Sequence, residues 1–323
     1  MPRALALFLS LGTSACGFIL PGSEGEEQSA EDSAQPAEDV YIAVGDEGAV
    51  MSSPDGVTWT VRTSGVSVAL HAAAWGDDHY VAVGQAGKIL VSTDGAAWSG
   101  ASSPSSRDLH AVVYHGDRFF AVGGDASAGA ETLVSDDGTT WTRPEITAPK
   151  HVLMDLASDG VNLVAIGNYD ASLQTFGLFT WSEGNGWLQQ VDGGSVARYN
   201  AVAAGSPAFV AIGTAAAMTS ADSVTWKPTL PLFGANQMND LMYASGWIAV
   251  GLAGQTLTSY DGLQWTPHAG PVAQHLHGVT TGGGLYIAVG DAGTIVSSGD
   301  GATWAPQTSP LAVNLRAVTH PGA

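Results

Sequence analysis

The stretch "YVAVGQAGKILVSTDGAAW" (80–98) holds two phrases that the chain writes again and again. The second returns as "SPDGVTW" (53–59), "SDDGTTW" (135–141), "SADSVTW" (220–226), "SYDGLQW" (259–265) and "SGDGATW" (298–304), with a degenerate copy, "WSEGNGW", at 181–187. The closing tryptophans are Trp59, Trp98, Trp141, Trp187, Trp226, Trp265 and Trp304, spaced by 39, 43, 46, 39, 39 and 39 residues. The first phrase returns upstream of each: "YIAVG" (41–45), "FFAVG" (119–123), "LVAIG" (163–167), "FVAIG" (209–213), "WIAVG" (247–251) and "YIAVG" (286–290). The chain is therefore seven copies of one unit.

Short β-branched and aromatic runs ended by Gly read as buried strands. A strand such as "LHAAAW" (70–75) or "LHAVVY" (109–114) precedes most of them, a strand such as "KILVS" (88–92) follows, and the tryptophan opens a fourth. Four antiparallel strands per unit, seven times over, predict an all-β, seven-bladed β-propeller. The first unit begins at "YIAVG" with no innermost strand, while the chain ends in one with no unit after it, "NLRAVTH" (314–320). The C-terminal strand is thus expected to complete the first blade and close the ring, which removes exposed sheet edges.

In the turn, Gly supplies a positive φ and the Asp carboxylate can accept nearby backbone N–H groups, helped by the preceding Ser. This predicts a structural role for Asp55, Asp94, Asp137, Asp222, Asp261 and Asp300, and a tryptophan packed between blades. The turn resembles the Asp box (BNR repeat) of bacterial sialidases and related propellers, which has one more residue between Asp and Gly. The fuller pattern, over about 40–323, is similar to propellers of photosystem II assembly and stability factors and their bacterial lipoprotein relatives. That resemblance implies fold more than function.

The N-terminus, "MPRALALFLSLGTSACG", carries one charge, a short apolar run and small residues before Cys16, the only cysteine. It reads as a secretory signal (1–16). Its end resembles a lipobox with Thr13 where Leu is usual, so either Cys16 is lipidated or cleavage follows Ala15; export to a bacterial cell envelope, lipid-anchored, is the expectation. Residues 17–39 hold seven acidic residues and no basic one, a composition that predicts a disordered tether. Residues 40–323, the propeller, keep 23 acidic and 9 basic residues. A fold about fourteen charges negative makes nucleic acid an unsuitable partner. A monomer is expected, touching membrane only through the anchor.

Where the blades differ, function can sit. The starts of the innermost strands align His71, His110, Asp155, Asn200, Asp240, His277 and Arg316, a polar collar at one face in which a basic arc opposes an acidic one. Two readings stand: a site for a protein or glycan ligand, or a ring of hydrogen bonds between strand ends. Blades three and four also carry long connections, 124–131 and 168–177, offering Asp125, Glu131, Tyr169, Asp170, Gln174 and Phe176 for recognition. The connection 227–239 on the same face is apolar, with Leu230, Leu232 and Phe233.

A sialidase needs an arginine triad and a Phe/Tyr-Arg-Ile-Pro phrase, which this sequence lacks. Asp155 and Asp240 offer a paired acid and base to another kind of glycoside hydrolase if ~5–9.5 Å separates them. No catalytic residue, cofactor or resident metal is assigned, and the favoured expectation is a non-enzymatic recognition or assembly module.

Overall fold

In the computed structural model, residues 39–146, 151–170, 175–190, 198–205, 209–214, 216–229 and 237–323 are described. The signal segment, Cys16, the tether up to residue 38, Gln174 and the apolar part of 227–239 (Leu230, Leu232, Phe233) lie outside them.

Seven antiparallel sheets stand in a ring. In blade two the order from channel to rim is Leu70–Gly76, His79–Gly84, Ile89–Ser92 and Ser99–Gly100. The C-terminal strand Leu315–Thr319 takes the innermost place in blade one, pairing Ile42 with Thr319, Ala43 with Val318 and Val44 with Ala317. Blade three departs from the four-strand expectation. Among the described residues its sheet has three strands, and only Val134 and Thr142 pair where the fourth belongs. Pro144, two residues on, has no N–H to continue that ladder.

The second strands are buried along most of their length, because a blade's two faces both meet neighbouring blades. Seven apolar clusters fill the seven gaps, the last joining Ile287, Val289 and Ile295 of blade seven to Tyr41, Ala43, Met51 and Trp59 of blade one. The Gly ending each second strand is fixed by close approach. A Cβ on Gly251 would stand 2.2 Å from the Gln237 carbonyl oxygen, where the chain crosses into the three-residue turn to the third strand.

The Asp turns have the expected mechanism. Asp55 Oδ1 accepts from Val57 N at 2.8 Å and Thr58 N at 2.6 Å, Ser53 Oγ accepts from Gly56 N at 2.8 Å, and Trp59 Nε1 donates to Gly56 O at 3.2 Å. Asp94, Asp137, Asp222, Asp261 and Asp300 repeat the arrangement. The backbone donors favour the ionised carboxylate, so Asp55, Asp222 and Asp300 are held down to about 2. In blade five Ser223 replaces the Gly and still adopts a φ of 62°.

Candidate binding face and channel collar

Each innermost strand begins with one bulged residue that pairs with nothing on the second strand. The pairs Leu70 to Gly84 and Ala72 to Val83 leave His71 over; the other blades leave His110, Met154, Asn200, Asn239, His277 and Arg316. Five members of the sequence-derived collar are in register. Asp155 and Asp240 are not: they stand one residue further along, opposite Ile166 and Val250, where other blades carry Ala72, Ala111, Ala201, Gly278 and Ala317. Asn239 is the residue missed. The triplets Leu-His-Ala, Tyr-Asn-Ala and Met-Asn-Asp, aligned on the apolar residue, contain the signal for it.

The collar's side chains tie blades together. His71 Nδ1–H donates to Leu109 O at 2.9 Å, Asn200 Nδ2 to Met238 O at 2.8 Å and Asn239 Nδ2 to Leu276 O at 2.8 Å, each reaching the next blade's innermost strand. The His71 and His110 rings stack, 5.3 Å between centroids, and burial holds the His110 pKa down. Arg316 is spent within its own blade. Its Nε and Nη2 donate to both oxygens of Asp46 at 2.8 Å, a bidentate pair that lowers the Asp46 pKa. His277 Nε2 likewise meets Asp291 Oδ1 at 2.6 Å. Arg316 and His277 are thus matched by carboxylates at their own level, while His71 is spent on a backbone carbonyl.

Asp155 and Asp240 do the same work from a deeper position. Asp155 Oδ1 accepts from Leu156 N and Oδ2 from Val202 N of blade five, both at 2.8 Å; Asp240 Oδ1 and Oδ2 accept from Leu241 N and Val279 N of blade seven, again at 2.8 Å. An innermost strand has a free backbone edge toward the channel, and each carboxyl staples two such edges. Both side chains are half-buried by area, open to the channel and walled by protein elsewhere. Burial raises Asp155 to about 7; burial and then the charge of Asp155 raise Asp240 to about 8. Among the described residues, no three His, Cys, Asp or Glu side chains converge to hold a metal.

The long connections turn out to be extended hairpins. Glu131 lies inside the strand Gly129–Ser135, 1% exposed, rather than in a loop. Its carboxyl group faces two guanidiniums, Arg143 Nε at 2.6 Å and Arg107 Nη1 at 3.1 Å, the partners that a buried acidic side chain needs. Asp125 ends the strand Arg118–Asp125, its Oδ1 accepting from Ser127 N and Ala128 N in the short turn that remains. Tyr169 and Asp170 belong to the strand Leu163–Asp170 and Phe176 to Thr175–Ser182, paired as Tyr169 to Phe176 and Asp170 to Thr175.

No protein family and no curated protein matches the chain. Solved structures do. A structure described as YCF48 bound to D1 peptide superposes with a TM-score of 0.60 at 18% identity, covering 78% of this chain and 85% of that one. YCF48 from Cyanidioschyzon merolae gives 0.57 at 16% identity, over 79% and 93%. Virginiamycin B lyase from Staphylococcus aureus gives 0.64 at 9% identity, over 75% and 85%. A YCF48 propeller and a lyase match it about equally well, so the likeness carries the fold and leaves the chemistry to this chain's own residues.

Proposed function

We propose that the chain is a non-enzymatic binding module that takes a segment of another protein at its channel face and serves recognition or assembly in a bacterial envelope, exported by its N-terminal signal and held by lipid on Cys16. The observation that carries this reading is the peptide-bound propeller of the same architecture, alignable over most of the chain. The channel face supports it chemically. Asp155 and Asp240, the only acid and base pair that the sequence offered a glycoside hydrolase, have each of their four oxygens accepting a backbone N–H. A tied ring with blade-specific turns is a rigid platform on which those turns can select a partner.

Photo-crosslinking tests the proposal. A benzoyl-phenylalanine at exposed Glu47, in the channel-face turn of blade one, is expected to give a discrete protein adduct in envelope extract. The same probe at Val161, 82% exposed on the opposite face, is expected to give none. The same adducts at both positions, or sugar released from a polysaccharide panel and lost on Asp155→Asn, would overturn it.

A further inference from the structure

The seven repeats provide their own control, and one gap between blades breaks the pattern. The residue before the Asp of each turn is Pro54, Thr93, Asp136, Ala221, Tyr260 or Gly299. Only blade six places a large ring there, and Tyr260 is 89% exposed. The aromatic or apolar residue opening each second strand is buried at Tyr41, Tyr80, Phe119, Leu163, Phe209 and Trp247, yet the seventh, Tyr286, is partly open. Tyr80 drives its hydroxyl into the preceding blade, donating to Val40 O at 2.7 Å; the Tyr286 hydroxyl reaches only Ser245 Oγ, at 3.4 Å.

Both departures meet in one cleft on the Asp-turn rim between blades six and seven. Corresponding clefts occur between blades two and three, at about 250 Å³, and between blades five and six, at about 310 Å³; this one measures about 460 Å³. A glycine accounts for much of the difference. In blade two His79 packs on Phe119 of the next blade with centroids 5.0 Å apart, whereas in blade six the matching residue is Gly246, which leaves the floor uncovered. The walls are polar. Asp261 Oδ1 is engaged by Leu263 N, Gln264 N and Ser259 Oγ, so Oδ2 is its unengaged acceptor among the described residues; Gln264 is exposed, and Thr258 and Thr266 complete the lining.

We infer that this cleft binds a neutral pyranose unit of a glycan. The apolar C–H face of a sugar ring suits the electron-rich face of Tyr260, whose free rotation is limited to two side-chain torsions. Sugar hydroxyls both donate and accept, which matches a carboxylate oxygen, a primary amide and the Thr266 hydroxyl that line the cleft, Thr258 Oγ1 being held by His268 Nε2 at 2.7 Å. The Asp261 and Asp300 carboxylates are fixed in place by backbone donors, so the cleft presents rigid acceptors to sugar hydroxyls. The site lies on the face opposite the collar and stands whether or not the channel face binds a protein.

Calorimetry on the full chain with maltohexaose, cellohexaose and chitohexaose tests this, with tetramethylammonium chloride and decaproline as competing chemistries. We expect one of the oligosaccharides to bind, and Tyr260→Ala and Gln264→Ala each to weaken it by about tenfold, the scale of truncating an anchoring contact. Val57→Ala, 45% exposed on the Asp turn of blade one, should leave the affinity unchanged, and Tyr260→Ala should leave the melting temperature unchanged. Binding of none of the three, binding undiminished by Tyr260→Ala, or binding only of tetramethylammonium or decaproline would overturn the inference.

Discussion

Removing residues 314–323 is expected to abolish the single cooperative melting transition and to leave a chain that self-associates. The deleted strand supplies the innermost ladder of blade one, the buried side chains Leu315 and Val318 in the cluster between blades seven and one, and the Arg316 and Asn314 bonds to Asp46. Asn314 Oδ1 also accepts from Ala292 N, so the same cut unfastens blade seven. Burying each apolar side chain contributes roughly 1.5–3 kcal/mol and each hydrogen bond about 0.5–1.5 kcal/mol. Together these reach the whole margin of roughly 5–15 kcal/mol by which a domain is stable. The strand Tyr41–Gly45 would then present an open edge to other chains. Calorimetry with size-exclusion chromatography reads both effects, and an unchanged, monomeric transition would show that the strand only decorates a ring closed by other means.

Trp304→Ala should cost about 3–5 kcal/mol, the usual range for emptying a buried aromatic position. Trp304 is 8% exposed and sits on Ile248, Val250 and Val296, joining blade seven to blade six, while its Nε1 donates to Gly301 O at 2.9 Å and locks the Asp turn. The substitution leaves both a void between blades and an unclosed turn. Urea denaturation would measure the loss, and Leu263→Ala, at a position 48% exposed on another such turn, should stay within about 0.5 kcal/mol of the parent. Equal small effects would mean that the tryptophans follow from the turn and do not hold blades together.

The ring was legible because repetition averages away local ambiguity. One copy of "YVAVG" is an unremarkable apolar run, whereas seven copies with tryptophans mostly 39 residues apart fix both unit and number. Closure followed from counting, since a missing first strand and a surplus last one have a single solution. The collar was read less well. A β-bulge shifts register by one residue and leaves no mark in a single strand, so Asp155 and Asp240 looked like partners of His71 when Met154 and Asn239 are. Loop length misled for a related reason: a hairpin can lengthen its strands instead of its loop, and "GDASAGAE" does so, which carries Glu131 into the sheet. The ring of Tyr260, by contrast, stands openly in "SYDG", at a position where the other Asp turns carry Pro, Thr, Asp, Ala or Gly.

Whether the channel carboxylates stand protonated in the folded ring is tested most directly by the melting temperature of the parent and of the Asp155→Asn/Asp240→Asn variant between pH 5 and 9. Folded pKa values near 7 and 8 lie above the ordinary carboxylate value of 3.8, so between those limits the folded ring holds protons that the unfolded chain has released. Their contribution to stability therefore falls as pH rises from 5 through the folded pKa values and levels off only about one unit above the higher of them. The histidines whose pKa burial lowers, such as His110, His115 and His320, are common to both proteins and drop out of the difference. The advantage of the parent over the variant is predicted to shrink steadily across that range. An advantage that is constant or grows with pH would mean that the carboxylates stand ionised in the folded channel, as a catalytic base or nucleophile must, and would contradict the account.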